Sequence, residues 1–267
     1  MLIMKQAPAL RVDLRAVQPA RLAGMPAGEI ERLAVPCGRE MVPLAEFCRV
    51  VAGGEDTGTL VLDGDFSRFD RIGWQLAGGR IEVRGAAGDH VGTGMSAGEI
   101  RVHGDAGMYA GCEMAGGRLE VAGSVGDFAA GALPGSMDGM RGGLLLVRGH
   151  AGERFGDRMR RGTAAVLGDA GDFLGSRMVA GTIAVAGRVG AHCAWGMRRG
   201  SIVCAGSVPP ISPTFAETGA NFEVAWQLIA RDLARLGGPF ESLPRRRLRR
   251  HAGDLAVGGR GELLLPA

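Results

Sequence analysis

The chain has 267 residues, 46% of them hydrophobic, and a formal net charge of +3, so it is long and apolar enough for a real core, and neither a disordered chain nor a generally cationic nucleic-acid binder. Glycine accounts for 47 residues against 12 prolines, without a Gly-X-Y period, which excludes collagen and assigns the glycine to another regular structure. Cys37, Cys48, Cys112, Cys193 and Cys204 form no C-x-x-C pair or close cluster, arguing against a zinc ribbon, an iron–sulfur centre or a disulfide framework and for a reducing cytoplasm.

The N-terminus, MLIMKQAPALRVDLRA, lacks an apolar signal core, and no run reaches the ~18 apolar residues of a membrane span. A soluble cytoplasmic protein is expected. Residues 1–57 are assigned strands and short helices that cap one end of a coiled region beginning at Gly58, since an uncovered coil would expose a sheet edge.

From Gly58 the chain repeats itself. Units begin at Gly58, Gly79, Gly98, Gly117, Gly143, Gly162, Gly181 and Gly200, in steps of 21, 19, 19, 26, 19, 19 and 19. A glycine returns six residues into each unit, as at Gly85 and Gly104, and from the second unit another returns at nine, as at Gly88 and Gly107. Methionine follows at sixteen in Met95, Met114, Met159, Met178 and Met197, and looping seven residues out of the 26-residue step brings Met140 into the same column. Positions two and four are apolar, as in Ile81 and Val83 or Ile183 and Val185. That alternation marks a strand. Short strands separated by glycine corners at a constant period close into coils that stack in parallel at ~4.8 Å. The expected fold is all-β, a single-stranded helix of about seven coils over residues 58–206 and on the order of 35 Å long, with the methionines filling the interior.

Residues 207–267 break the pattern at Pro209, Pro210 and Pro213. Phe222, Trp226, Ile229, Leu233 and Leu236 then recur at helical spacing and Gly237 ends the run, predicting an amphipathic helix. Outward strand positions are charged in early coils (Arg80, Glu82, Arg84) and apolar in later ones (Leu144, Leu146, Leu167). Two readings of that apolar face stay open, and both hold if the helix covers only part of it. Either the C-terminal helix folds back over it, or Leu144, Leu146 and Leu167 join Phe222, Trp226, Ile229 and Leu233 in a subunit interface. Beyond the helix, Arg245, Arg246, Arg247, Arg249 and Arg250 form a basic tail.

Among groups with chemical potential, His90 and His192 share one unit position but lie roughly 24 Å apart along the rod, too far for one metal ion. Asp127, Glu153 and Asp172, with Asp89 earlier, share position ten; they are either like charges ~5 Å apart that raise one another's pKa or turn residues bonding local backbone. Arg158, Arg177, Arg160, Arg198, Arg161 and Arg199 follow at positions fifteen to eighteen and are expected to pair with carboxylates, their own or a partner's. No catalytic or metal-binding constellation is assigned.

Units of the form G-x-[ILV]-x-V-x-G-x-[AV]-G-x3-G-x2-M resemble the β-helical domain shared by the C subunit of formylmethanofuran dehydrogenase and the C-terminal part of the glutamate synthase large subunit. The stand-alone length, the ISPTF segment and the tail RRRLRRHAGDLAVGGRGELLLP are similar to the C-subunit family of bacterial formyltransferase/hydrolase complexes. This resemblance implies a right-handed β-helix and a cytoplasmic, non-catalytic scaffold. Its partners would be A, B and D subunits that move a formyl group between tetrahydromethanopterin and methylofuran or methanofuran and release formate. Zinc would sit in a partner subunit, no cofactor would be held tightly by this chain, and neither nucleic acid nor membrane would be bound. The five tail arginines would then meet the polyglutamate arm of the furan cofactor. The alternatives within and outside the family are the C subunit of a molybdenum or tungsten formylmethanofuran dehydrogenase and a free-standing trimeric β-helical enzyme of the γ-carbonic anhydrase or acyltransferase type. Ala194, standing where Gly92, Gly111, Gly156 and Gly175 do, departs from the pattern and puts one corner in question.

Overall fold

The computed structural model of the chain describes residues 1–51, 58–218 and 222–266. The eight unit starts become eight stacked parallel strands, from Thr59–Asp63 and Ala77–Arg84 to Thr182–Val185 and Ser201–Cys204. Their register carries the repeat directly: Ile81 pairs with Ile100, Ile100 with Leu119, Leu119 with Leu145, and so on to Ile183 with Ile202. These residues point inward and are fully buried. A second seam of single parallel bridges runs on the next side of each coil, from Phe66 through Ala87 and Ala106 to Val189. The fold is a β-helix.

Stacking explains the glycine. Gly85 has an ordinary backbone conformation, but a Cβ there would lie 2.0 Å from the carbonyl oxygen of Gly64 in the coil below. The leading glycines add a second requirement, as at Gly98, where φ is +87° and a Cβ would meet the Gly79 oxygen at 2.5 Å. Ala194 keeps the corner that its side chain put in question: its φ of +62° matches the +61° of Gly175, and Ala130 does the same at +56°. All six methionines of the column, Met140 included, are fully buried. The Met140 amide bonds the Ala130 carbonyl at 3.0 Å, so the extra residues leave the coil and return without disturbing the register.

Both ends are closed by the same sheet. Leu2–Met4 adds in parallel to Thr59–Asp63 and is itself covered by Cys48–Val50 in antiparallel orientation. Beside it Glu40–Pro43, Ala34–Cys37, Val12–Asp13 and Phe69–Asp70 form a separate small sheet. At the other end Gly261–Pro266, from the chain terminus, pairs in parallel with Ser201–Cys204 as a further rung. Leu248–Gly253 then pairs antiparallel with it, and Ala216–Thr218 closes the edge. The arginine run expected to be a tail is therefore corrected to the approach and first half of a strand in the main sheet. Leu264 supplies the reason: on the neighbouring terminal strand it faces the helix-covered apolar surface and is fully buried.

The predicted amphipathic helix forms over Glu223–Ala234, with Phe222 as its N-cap residue. It lies on the outward face of the later coils, where Trp226, Ala230 and Leu233 cluster with Leu146, Ala165, Ala184 and Val203. A 3-10 segment, Gly238–Arg245, continues the cover with buried Phe240 and Leu243.

Replacing Gly85 by alanine should lower stability by about 2 kcal/mol, because the clash is with backbone that every coil shares. Gly28 lies in the short helix Ala27–Glu31 with nothing within 4 Å of an added Cβ, so Gly28→Ala should be neutral or slightly stabilising. Thermal or urea unfolding of the two variants beside the parent checks the pair.

Candidate functional site

The outer strand face of the early coils is a mesh of ion pairs with opposite signs interleaved between coils. Arg80 meets Glu99 at 3.1 Å, and His103 reaches Glu82 at 3.1 Å. At its centre Glu120, 7% exposed, accepts from Arg118 at 2.9 Å and from Arg148 at 2.8 Å. Burial alone would push this carboxyl up, but the bonds from Arg118 and Arg148 outweigh it and hold the pKa below its ordinary value. Asp13 is held down in the same way: burial opposes the charge, while the hydrogen bonds and charge of Arg15, with Arg71 beside it, prevail.

A second feature is absent from any reading by strand pattern. One left-handed corner position, eleven residues after six of the eight leading glycines, carries His90, Tyr109, Phe128, Arg154, Phe173 and His192, with φ between +57° and +64°. Their side chains stack into a ladder along one edge of the rod. His90 and Tyr109 lie 4.9 Å apart and nearly parallel, Tyr109 and Phe128 are 5.3 Å apart, and Phe173 and His192 are 4.7 Å apart. Arg154 fills the one non-aromatic rung, 5.9 Å from the Phe128 ring and 4.5 Å from that of Phe173. Left-handed backbone in residues with a side chain costs of order 1 kcal/mol each; stacking and cation–π contact offset it. The two equivalent histidines are thus rungs of this ladder. Burial, reinforced by the charge of Arg71, holds the His90 pKa below the ordinary imidazole value.

Three of the four position-ten carboxylates, all but Glu153, resolve toward the backbone. Asp127 accepts from the Glu153 amide at 2.8 Å, Asp172 from Ala191 at 2.7 Å, and Asp89 from Met108 at 2.9 Å. Each ties its coil to the next. Arg177 grips the buried Asp157 through both carboxylate oxygens at 2.9 and 3.0 Å, Arg158 approaches it at 3.8 Å, and Arg160 pairs with Asp138. Arg161, Arg198 and Arg199 find no carboxylate of their own chain: all three are exposed without an ion-pair partner among the described residues, which leaves pairing with a partner's carboxylates as the open alternative. No group of three or more His, Cys, Asp or Glu is placed to hold a metal ion among the described residues, and none of their helices is long and apolar enough to cross a membrane.

The tail arginines divide. Arg246 donates to the Ala205 carbonyl at 2.9 Å and to that of Pro266, while its own carbonyl accepts from the Trp226 indole at 3.2 Å. Arg250 bonds Glu262 at 3.0 Å and lies 4.7 Å over the Phe222 ring. Both guanidinium groups are thus bonded within the chain. Arg247 and Arg249 are exposed and line a groove of about 690 Å³, which they share with half-buried Arg246 and Arg250, with Phe222 and Trp226, and with Glu217 and Glu223. Arg245 is exposed but outside that lining.

The seven apolar residues considered for an interface divide too. Leu146, Trp226 and Leu233 are sealed inside the chain, so for these three the helix-covering reading holds and the interface reading is corrected. Leu144 and Ile229 remain half-buried beside a groove of about 450 Å³ along the helix, while Leu167 and Phe222 stay half-buried at the margin of the cluster.

This geometry, a 19-residue parallel β-helix with its sheet extended by N- and C-terminal strands, defines a class. The family model described as GXGXG motif matches residues 58–209, and the chain belongs to that family. Along its whole length it is similar to a chain of the formyltransferase/hydrolase complex (FhcABCD) of Methylorubrum extorquens, a structure solved with methylofuran: 41% identity, 100% of this chain and 99% of that one, TM-score 0.93. The C subunit of the formyltransferase/hydrolase complex of the same organism is 43% identical over 78 residues, 29% of each chain. The C subunit of molybdenum-containing formylmethanofuran dehydrogenase 1 of Methanosarcina barkeri is 38% identical over 92 residues, 33% of this chain and 31% of its own. The matched stretches therefore span about a third of these curated relatives' lengths.

Because the Glu120 pKa is lowered in the folded state, its contribution to stability is complete above the ordinary value of 4.5 and is lost as pH falls through the lower folded value. Glu120→Gln should be less stable than the parent at pH 7 and lose less on acidification. Urea unfolding between pH 7 and pH ~3 checks this; parallel curves for the two proteins would show that the Arg118–Glu120–Arg148 cluster adds nothing.

Proposed function

We propose that this chain is the C subunit of a cytoplasmic formyltransferase/hydrolase complex, a non-catalytic scaffold for partners that transfer a formyl group between tetrahydromethanopterin and a methylofuran- or methanofuran-type cofactor and hydrolyse the formyl-furan to formate. The whole-length likeness to a chain of that complex carries the reading. The use of the chain's polar groups supports it: Asp89, Asp127 and Asp172 bond the next coil, Glu120 and Asp157 are tied to arginines, and two equivalent histidines are stacked in the ladder. In this reading zinc and the reacting groups belong to the A, B and D partners. The likeness to the C subunit of a molybdenum-containing dehydrogenase supports a second reading within the family, in which the partners oxidise or reduce the formyl group.

The isolated chain should show neither formyl transfer nor formyl-furan hydrolysis, and it should co-purify with three unlike subunits from its native host. Robust activity of the isolated chain would overturn the scaffold reading. Molybdenum or tungsten in the native complex, together with formate oxidation, would select the dehydrogenase.

The groove beside Arg247 and Arg249 supports a further role within this reading, weak retention of the cofactor's acidic polyglutamate arm by exposed guanidinium forks. Arg245→Gln/Arg247→Gln/Arg249→Gln should weaken methylofuran retention in the assembled complex, most visibly at low salt. Arg246→Gln should instead lower the unfolding temperature of the isolated chain, since its donors close the end of the sheet. Unchanged retention in an intact triple variant would remove the cofactor role.

A further inference from the structure

On the outer strand face, basic groups have carboxylates on the same strand or one coil away, as in Arg80 with Glu99 and Arg148 with Glu120. The corner leading into the later strands breaks that rule. Arg141 and Arg161 are in-register neighbours on adjacent strands. Arg198 and Arg199 occupy the two places just before the leading glycine two coils further on, and the Arg260 amide bonds the Arg198 carbonyl at 2.6 Å. All five arginines are exposed, and none has an ion-pair partner among the described residues. Nearby carboxylates are already engaged: Asp138 pairs with Arg160, and Glu262 takes Arg250 and the Ser201 hydroxyl.

The column from Arg141 to Arg198 covers three coil steps, on the order of 14 Å. Neighbouring members lie within about one Debye length at physiological salt, so their charges act together. A fold that relieves like-charge repulsion by interleaving signs elsewhere leaves it unrelieved at this corner, and a partner of opposite sign would relieve it. Trp195 stands three residues before Arg198, 53% exposed and edge-on to Phe173 at 6.4 Å. Tryptophan and arginine are among the residues most enriched where binding energy concentrates at protein interfaces. Single-stranded nucleic acid would need free ring faces for successive bases, whereas the rungs of the nearby ladder face one another.

We propose that this corner is the docking surface for an acidic segment of a partner subunit, with the guanidinium groups forking onto its carboxylates and Trp195 as the apolar anchor. The proposal rests on the reading of the chain as one member of a complex. It adds where the contact lies and which chemistry it selects.

The test uses the intact complex carrying Arg161→Glu/Arg198→Glu/Arg199→Glu in this chain, with Arg161→Gln/Arg198→Gln/Arg199→Gln as the milder form. Dissociation on dilution is followed by mass photometry, and thermal unfolding of each isolated chain is measured alongside. Charge reversal should raise the dissociation constant on the order of 100-fold, the glutamine form on the order of tenfold, and Trp195→Ala about tenfold. The isolated arginine variants should unfold at the parent temperature, because the side chains of Arg161, Arg198 and Arg199 have no ion-pair partner among the described residues and their backbone bonds are kept. Unchanged dissociation of both arginine variants overturns the docking proposal and leaves the subunit reading intact. A parent chain recovered without unlike subunits overturns both. Single-stranded RNA binding that depends on these arginines, with assembly unaffected, overturns the proposal in favour of a nucleic-acid surface.

Discussion

Each coil of this protein lies about 4.8 Å above the last, a separation that admits two hydrogen-bonded backbones and, at fixed points, no Cβ atom between them. That constraint sets the positions of glycine, the parallel register and the constant length of the unit. It also dictates what polar side chains do. A carboxylate placed after a corner finds an unpaired amide of the next coil within reach, so Asp89, Asp127 and Asp172 act as extra links of the backbone mesh.

Stacking solves the interior but creates two open ends and one apolar side. The chain answers with segments far apart in sequence. Leu2–Met4 covers the first rung, and Gly261–Pro266 covers the last. Between that last rung and the coils, residues 222–250 fold back so that Trp226, Leu233, Phe240 and Leu243 cover Leu146, Ala165, Ala184 and Val203. The arginine run is drawn into this closure, which is why Arg246 and Arg250 are structural while Arg247 and Arg249 remain at the surface.

The surface then divides by charge. One face neutralises itself, one edge is occupied by stacked rings, and one corner carries arginine without an ion-pair partner among the described residues. The balanced face and the ladder strengthen the rod, while the corner and the groove concentrate arginine at the surface. The family likeness and the whole-length match to a chain of the formyltransferase/hydrolase complex agree with a rod of this kind.

The sequence by itself determined the coil. A period of 19 residues with glycine at zero, six and nine leaves few other ways to pair every backbone group, so the strands, the buried methionines and even the excursion before Met140 were legible. The helix at Glu223–Ala234 was legible for the same reason, a local period. What the tertiary structure alone decided were contacts without a local period. The ladder of His90, Tyr109, Phe128, Arg154, Phe173 and His192 mixes aromatic and basic residues, so the only signal in the chain is their shared offset from the leading glycine; its meaning appears when left-handed corners align the side chains. The strand Leu248–Gly253 reads as a charged tail until Gly261–Pro266 supplies its hydrogen-bonding edge. Which arginines pair and which stay free depends on carboxylates one coil or dozens of residues away, and Coulomb interactions follow distance in space rather than distance along the chain.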